Sequence, residues 1–200
     1  MRLILMRHGE TLWNVEKRLQ GHENTPLSPR GIAQAKAIIP SIRALSPTRV
    51  VSSDLGRARQ TVDILGYSHA AADPELRELN MGVWTGKSKP DLTTNQRSLY
   101  NAWRAGTFTP EGGEQWHAFL SRIEKALYSW VKASDGDLLA VVHSGVIRAA
   151  CVTFMGLQPS QLLPVSPGSL TIFNFSDDVS QPRLEAYNIG GLTPDKSVAD

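Results

Sequence analysis

The chain of 200 residues has one cysteine, no run of basic residues and no long apolar stretch. The lone Cys151 cannot form an internal disulfide, and its apolar neighbours favour a buried, unreactive thiol. The apolar stretch near the start, 3–6, is too short for a signal-peptide core or a membrane span. The net charge of +2, without basic clusters, argues against binding to nucleic acid or to a membrane surface. We therefore expect a reduced, cytoplasmic protein.

The composition itself is ordinary for a globular protein, with 41% hydrophobic and 20% charged residues. A chain of this length fits one domain, here 1–200, and can bury roughly two thirds of the surface that its unfolded form exposes. The stretch 80–112 is rich in Gly, Pro, Lys and Asn, which predicts a small, irregular and mobile cap.

Continuous apolar segments alternate along the chain with segments in which apolar residues recur at helical spacing. The apolar segments predict strands at 2–7, 49–53, 137–144, 169–175 and 183–189. Helical spacing predicts one helix capped by Ser28 with Pro29 at its first position, and further helices from about Leu55, over 114–133 and after Gly145. Pro40 predicts a kink or an early stop in the first of these helices. This alternation predicts an α/β fold with a largely parallel central sheet.

Three predicted strands end in residues that carry chemistry, namely 7–9, 52–54 and 143–145. In open parallel sheets, ligands bind beyond the carboxyl ends of the strands. A buried strand end is a poor place for the charge of Arg7 unless an anion binds there. His8 and His143 are each followed by a glycine within two residues and then by a helix, whose N-terminus attracts anions. These ends therefore predict an anion site.

Two arginines also support the prediction of an anion site. The forked guanidinium groups of Arg7 and Arg57 suit the oxygens of a phosphate or a carboxylate. Asn14 and the segment 18–27 add neutral donors. An arginine and histidine pocket at the end of a sheet indicates a site for a phosphoryl group.

At this point six motifs carry a resemblance to a known family. They are LILMRHGETLWN at 3–14, QG at 20–21, PLSPRG at 26–31, SSDLGRARQT at 52–61, LRELNMG at 76–82 with Trp84 and Gly86, and VVHSG at 141–145. Taken in order, they closely resemble the histidine phosphatase superfamily, in its branch of small phosphatases. The resemblance implies a phosphoglycerate-mutase-like fold, a three-layer sandwich in which helices flank a mostly parallel central sheet.

The resemblance also implies roles for individual residues. His8 would be the nucleophile that forms a phosphohistidine, with its other ring N–H held by a backbone carbonyl. Glu78 would protonate the leaving oxygen and then activate water. The charge on the transferred phosphoryl group would be stabilised by Arg7, Arg57 and His143. The family implies neither a metal nor another cofactor.

Further residues of the pocket follow from the same motifs, with one departure. Asn14, Gln20 and Gly21 would complete the phosphate pocket. Ser144 stands where the family often has glycine after its second histidine, and its hydroxyl can still donate to phosphate. His22 and Glu23 lie in the loop where family members vary, and we expect them to influence the choice of substrate.

The expected activity is hydrolysis of a small phosphorylated metabolite. A cofactor-dependent phosphoglycerate mutase is the alternative, although such mutases carry a longer insertion with paired arginines after the acid motif. A metal-dependent hydrolase using the histidines with Asp54 and Glu78 would fit less well, since Arg7 and Arg57 would repel a cation. A non-catalytic phosphate-binding module would also fit less well, since none of the expected catalytic residues is missing. The sequence names neither the substrate nor the oligomeric state, for which a homodimer is one option.

Overall fold

The computed structural model describes residues 1–175 and 182–190; the remaining parts of the predicted domain, 176–181 and 191–200, lie outside the described residues. Within the described ranges the chain forms a single six-stranded sheet. Its strands are β1 (Arg2–Arg7), β2 (Arg49–Ser53), β3 (Ala71–Asp73), β4 (Leu138–Val142), β5 (Ser169–Asn174) and β6 (Arg183–Gly190).

The sheet has the order β3-β2-β4-β1-β5-β6. The four strands from β3 to β1 pair in parallel, whereas β5 pairs antiparallel with β1, and β6 pairs antiparallel with β5. In the parallel pair of β1 and β4, Arg7 lies opposite Val142. The two strands therefore end at the same level, and the residues that follow them meet at one edge of the sheet.

Helices cover both faces of the sheet. They are α1 (Leu12–Val15), α2 (Pro29–Ala37), α3 (Ile39–Leu45), α4 (Gly56–Leu65), α5 (Lys89–Asn95), α6 (Arg97–Arg104), α7 (Trp116–Lys132) and α8 (Ser144–Met155). Single turns of 3-10 helix occur at Pro74–Leu76, Gly82–Trp84 and Pro159–Gln161.

The two faces of the central strands bury separate cores. Leu3 and Leu5 of β1 face α7 and α8, where they pack with residues such as Phe119. Ile4 and Met6, which point the other way, pack in the cluster that α3 and α4 supply. Because side chains alternate along a strand, a strand covered on both faces must be apolar throughout. The fold is the predicted three-layer α/β sandwich with a mostly parallel sheet.

Most of the predicted elements are confirmed. Pro40 does interrupt the first long helix, since α2 ends at Ala37 and α3 begins at Ile39. Helix α8 starts at Ser144, two residues before the predicted position, because His143 is already its N-cap. The short edge strand β3 was not predicted, since three residues give too little periodicity.

The prediction of an irregular stretch over 80–112 is wrong. It contains α5 and α6, and Ser88 caps α5 by accepting a hydrogen bond from the backbone N–H of Asp91. The buried side chains of Leu92 and Trp103 belong to the core on the α7 and α8 face. The helices were overlooked because each is short and mostly polar. The cap is packed against the body of the protein.

No helix within 1–175 or 182–190 combines the length and the apolar character that crossing a membrane requires.

Candidate active site

The structure brings His8 and His143 together at the carboxyl ends of β1 and β4. The backbone N–H of His8 continues the ladder by donating to the carbonyl of Val142 at 3.0 Å. As a result the two imidazole rings lie edge to face, with centroids 5.2 Å apart. Both residues are buried, with 3% and 0% of their surface exposed. The pairing of two parallel strands is thus what creates the histidine pair.

Hydrogen bonds define the tautomer of His8. Its Nδ1 lies 2.7 Å from the carbonyl oxygen of Gly9, which can only accept, so Nδ1 carries the proton. On the other side of the ring, the Nε–H of Arg57 donates to Nε2 at 3.2 Å. Nε2 therefore presents a lone pair. The expected contact between the ring N–H and a backbone carbonyl is present.

The surroundings of His8 keep the ring neutral. Burial lowers its pKa well below the usual value, and the positive charges of Arg57 and Arg7 lower the pKa further. The hydrogen bond to Gly9 acts in the opposite direction and is the weaker influence. A neutral imidazole with a lone pair on one ring nitrogen is the form in which histidine acts as a nucleophile, and here that lone pair accepts the hydrogen bond from Arg57.

Arg57, in the first turn of α4, is held by the loop that contains Gly21. Its Nη2 donates to the carbonyl of Gly21 at 2.8 Å and its Nη1 to that of Glu23 at 2.7 Å. Burial lowers the pKa of Arg57 to about 10; the carboxylate of Glu78 opposes this shift and the charge of Arg7 adds to it. The guanidinium still carries its charge at neutral pH. Gly21 has a positive φ of 54°, which favours glycine at this turn.

Arg7 supplies a second buried positive charge beside His8. Only 2% of its surface is exposed, and its Nη1 donates to the carbonyl of Val165 at 2.6 Å. Two guanidinium groups at one buried strand end create a strongly positive field around the histidine pair. The buried charge of Arg7 thus lies beside a second guanidinium group, an arrangement that attracts anions.

His143 faces the same field from the N-terminus of α8. Burial lowers its pKa well below the usual value, followed in importance by the charges of Arg57 and His8. Within the described part of the chain, neither of its buried ring nitrogens has a hydrogen-bond partner. Buried polar atoms are rarely left in this state, so both nitrogens are available to water or to a ligand.

Glu78 reaches the site from the segment that follows the first 3-10 turn. Its Oε1 accepts from the backbone N–H of Leu79 at 2.8 Å, and its Oε2 accepts from that of Gly145 at 2.9 Å. A β-carbon at position 145 would overlap Oε1 of Glu78. The glycine two residues after His143 therefore makes room for the carboxylate. This contact places Glu78 at the start of α8.

The segment that carries Glu78 is held by Arg122, which the sequence did not single out, and by His22 of the variable loop. Arg122 of α7 donates to the carbonyls of Glu75 at 2.6 Å and Arg77 at 3.1 Å, and it forms a two-pronged ion pair with Glu114. His22 contacts the carbonyl of Glu78 through its Nε2 at 2.8 Å. No local motif marks Arg122, because its partners are distant in the sequence.

Asp54 has a structural partner. Its carboxylate forms two hydrogen bonds with Arg77, at 2.8 and 2.5 Å, and this guanidinium lowers the pKa of Asp54. Across residues 1–175 and 182–190, no three His, Cys, Asp or Glu side chains are grouped closely enough to hold a metal ion.

The remaining predicted pocket residues lie in buried or turn positions. Asn14 closes a capping box with Thr11, whose backbone N–H donates to its Oδ1 at 3.0 Å. Gln20 is 6% exposed and accepts from the hydroxyl of Thr25. Ser144 is the first residue of α8 and is 7% exposed. Their roles toward a phosphate stay predictions.

Gly9 is required by close packing. A β-carbon there would lie 2.5 Å from the carbonyl oxygen of Gly31, at the start of α2. The backbone N–H of Gly9 donates to the hydroxyl of Thr61 at 3.1 Å, and this hydroxyl donates to the carbonyl of Arg57 at 2.8 Å. Thr61, which the sequence did not reveal, thereby links the peptide that holds His8 to the helix that holds Arg57.

A three-layer α/β sandwich whose parallel strands end in paired histidines among buried arginines defines a phosphoryl-handling enzyme of the histidine type. The family model described as "Histidine phosphatase superfamily (branch 1)" matches residues 3–190, and the chain belongs to this superfamily. It is an enzyme of the phosphoric monoester hydrolase class.

Individual relatives include both mutases and phosphatases. A probable phosphoglycerate mutase GpmB of Escherichia fergusonii is 35% identical over 165 residues, which cover 78% of this chain and 76% of the relative. The structure of mycobacterial glucosyl-3-phosphoglycerate phosphatase in complex with VO3 has a TM-score of 0.85 at 29% identity, covering 94% of this chain and 99% of that one. The structure of the alpha-ribazole phosphatase of Shigella flexneri has a TM-score of 0.79, also at 29% identity. This match covers 94% of this chain and 96% of that one.

Proposed function

We propose that the protein hydrolyses a small phosphorylated metabolite through a phosphohistidine intermediate at His8. The observation that carries this proposal is the state of the His8 ring: Nδ1–H is engaged by Gly9, and the Nε2 lone pair lies beside Arg57. The ring is neutral and oriented before any substrate arrives. The Nε–H of Arg57 must leave Nε2 when the substrate binds, but the ring itself does not have to turn for the attack, which is the advantage of a preorganised site.

In the first step, Nε2 of His8 attacks phosphorus as the bond from phosphorus to the ester oxygen breaks. The leaving oxygen takes a proton from the carboxylic acid of Glu78, so the alcohol departs neutral. Arg7 and Arg57 stabilise the charge on the equatorial oxygens. The products of this step are the alcohol, the phosphohistidine and the Glu78 carboxylate.

In the second step, the Glu78 carboxylate takes a proton from water while the water oxygen attacks phosphorus. The bond between phosphorus and Nε2 breaks, and inorganic phosphate leaves. His8 returns to its neutral form, and Glu78 is again a carboxylic acid, ready for the next turnover. The contact with the backbone N–H of Gly145 is what holds the carboxylate in place for both proton transfers.

His143 contributes in a manner that depends on the anion. In the free protein its pKa is lowered by burial and by the charges of Arg57 and His8. A bound phosphate dianion offsets the arginine charges and favours a second proton on the ring, which then donates to a phosphate oxygen. Asn14, Gln20, Gly21 and Ser144 complete the proposed pocket around the remaining oxygens.

A phosphoglycerate mutase is the second candidate, and the relatives of 34–35% identity that are described as probable phosphoglycerate mutases favour it. A mutase must protect its phosphohistidine from water long enough to return the phosphoryl group to an acceptor. The short stretch 80–112 between the acid motif and α7 favours hydrolysis instead.

One experiment separates these functions. A panel of phosphorylated metabolites is assayed for phosphate release, with EDTA present, while conversion of 3-phosphoglycerate to 2-phosphoglycerate is followed in parallel. We expect chelator-resistant phosphate release from at least one monoester. Isomerisation that exceeds phosphate release on 3-phosphoglycerate would favour the mutase, and complete loss of activity on chelation would contradict the metal-independent mechanism.

A further inference from the structure

The position of the proton on the His8 ring depends on the carbonyl of Gly9. In the free protein two contacts specify it, because Nδ1–H donates to this carbonyl and Nε2 accepts from the Nε–H of Arg57. A phosphoryl group that reaches Nε2 displaces Arg57 from that nitrogen. Phosphate oxygens are acceptors, so they favour a proton on Nε2, where it would block the attack. The contact with Gly9 then has to keep the proton on Nδ1.

The chain itself holds the carbonyl of Gly9 only weakly. A residue without a β-carbon has backbone dihedral angles that are less restricted than those of other residue types. A larger residue does not fit here, because a β-carbon on Gly9 would lie 2.5 Å from the carbonyl oxygen of Gly31. Close packing thus places the least restricted residue type next to the proposed nucleophile. Contacts from other segments must fix this peptide.

Gln34 of α2 fixes the peptide between Gly9 and Glu10. The N–H of Glu10 donates to the side-chain Oε1 of Gln34 at 2.9 Å. The carbonyl of Gly9 belongs to the same planar peptide group and points in the opposite direction. A planar group that is tied at its N–H resists rotation, so its carbonyl stays directed at Nδ1 of His8, 2.7 Å away.

Gln34 is buried and closely packed. A β-carbon on Gly168 would lie 2.7 Å from the β-carbon of Gln34, so the two residues are in close contact. The N–H of Gly168 in turn donates to the carbonyls of Arg7 and His8, each at 3.1 Å. The Gln34 side chain therefore has little freedom to leave the peptide that it holds.

Two side chains pair the backbone N–H groups that follow His8. The N–H of Gly9 donates to the hydroxyl of Thr61, and that of Glu10 donates to Gln34. Pairing a buried N–H group is a structural requirement in itself. The contact of Gln34 has a further property, because the other end of the same peptide accepts the proton-bearing nitrogen of His8.

The two hydrogen bonds of this peptide strengthen each other. Donation by the N–H of Glu10 polarises the peptide and makes the carbonyl of Gly9 a better acceptor. Attack on phosphorus leaves positive charge on the His8 ring, which makes Nδ1–H a stronger donor. The path from His8 through the peptide to Gln34 therefore stabilises the transition state more than the ground state.

We propose that Gln34 is a positioning residue for the nucleophile, which keeps the proton of His8 on Nδ1 by holding the peptide between Gly9 and Glu10. The inference rests on the proposed function, in which Nε2 of His8 attacks phosphorus. Gln34 acts through the backbone and needs no contact with the substrate. Its loss should slow the attack with every leaving group and leave the binding of phosphate intact.

Gln34→Met and Gln34→Glu form a matched pair. Methionine has a similar shape without the amide oxygen, whereas glutamate keeps an oxygen that accepts in either protonation state. After rapid quenching in base, the rate of phosphohistidine formation should fall about tenfold or more in Gln34→Met, equally for alkyl phosphates and 4-nitrophenyl phosphate. Gln34→Glu should stay within about threefold of the native rate. The inhibition constant of inorganic phosphate should change by less than about twofold in both variants.

Ile42→Val separates this effect from a loss of stability. Ile42 is buried in the core that α3 and α4 supply, so the removal of a methyl group destabilises the fold without a change at the Gly9 peptide. Thermal melting curves should show a lower melting temperature for Ile42→Val. Its rate of phosphohistidine formation should equal that of the native protein.

Proton NMR measures the hydrogen bond directly. The Nδ1–H of His8 donates to a carbonyl at 2.7 Å, so it should give a signal at low field that is absent from His8→Ala. The signal should move upfield and exchange faster with water in Gln34→Met, and should keep its position in Gln34→Glu and Ile42→Val. This measurement needs no turnover and is therefore independent of the proposed function.

Each outcome is decisive. A native rate and an unchanged NMR signal in Gln34→Met, or equal losses in Gln34→Met and Gln34→Glu, would overturn the role of Gln34 and leave the proposed function intact. A native protein in which no monoester labels His8 would overturn the proposed function. If Gln34→Met does not fold, scalar coupling between the Glu10 N–H and the Gln34 side-chain carbonyl in the native protein decides: its detection supports the assignment, and its absence overturns it.

Discussion

The carboxylate of Glu78 is in direct contact with the backbone of Gly145. The N–H of Gly145 donates to Oε2 at 2.9 Å, and a β-carbon at position 145 would overlap Oε1. The acid and the second histidine motif are 67 residues apart in sequence, yet they form one structural unit. Position 145 therefore controls where the proton donor lies relative to the phosphoryl group.

Gly145→Ala should displace the Glu78 carboxylate and slow the hydrolysis of alkyl phosphates by about tenfold or more, because an acid that is misplaced by an ångström loses much of its effect. Turnover of 4-nitrophenyl phosphate, whose leaving group needs no proton, should fall less. In a Glu78→Gln background, Gly145→Ala should cause little further loss of activity, because both substitutions impair the same proton transfer. Fully additive losses would show that Gly145 acts independently of Glu78.

Glu78→Gln should reduce kcat for alkyl phosphates by roughly 10²- to 10⁴-fold, the usual contribution of a general acid. The loss should be much smaller for 4-nitrophenyl phosphate in the step that forms the phosphohistidine. Glu75→Gln is the matched control, because Glu75 is an exposed carboxylate three residues away. Equal losses for both types of leaving group would remove Glu78 from the role of acid.

Mixing the enzyme with a ³²P-labelled substrate and quenching it rapidly in base should trap a label on the protein. A phosphohistidine is stable in base and labile in acid, so the label should disappear on later acidification. His8→Ala should abolish labelling, whereas His117→Ala, a change at an exposed position on α7, should not. A label that survives acid, as on serine, or one that persists in His8→Ala would refute the intermediate.

Buried neutral histidines also make the folded state sensitive to acid. The pKa values of His8 and His143 are lowered in the folded protein, so the unfolded chain binds more protons below a pH of about 6.5. Their contribution to stability is present above that pH and is lost as the pH falls toward the lowered values. For each histidine, the free energy of unfolding should fall by about 1.4 kcal/mol for every unit by which the pH drops in this window.

Urea denaturation at pH 7.5, 6.5 and 5.5 measures this dependence. His143→Asn should flatten the decline between pH 6.5 and 5.5, whatever its effect on absolute stability, while His117→Asn should leave the slope unchanged. If the native protein and His143→Asn decline equally, then His143 does not stay neutral in the folded state.

The strands and the paired histidines were accessible from sequence because the relevant signals are local. The apolar run before Arg7 and the run before His143 each predict a buried strand, and parallel pairing then brings the two strand ends together. The same logic placed Arg57 at the start of the helix that follows β2. Parallel pairing thus brings these local motifs together at one site.

Other features depend on contacts between distant segments and have no local signature. Arg122 holds the acid segment from a helix more than 40 residues away, and Thr61 connects Gly9 with Arg57 through a single hydroxyl. The cap helices were missed for a different reason. Their apolar residues, such as Leu92 and Trp103, are too few in each short helix to reveal a period.

The way in which Arg57 is anchored has a consequence for turnover. Its hydrogen-bond partners, the carbonyls of Gly21 and Glu23 and the imidazole of His8, are all uncharged, so none of them neutralises the attraction of the guanidinium for anions. Inorganic phosphate, once formed, meets the same attraction as the substrate did. Departure of the product is therefore expected to limit the rate with fast substrates, and accumulating phosphate should act as a competitive brake on the enzyme.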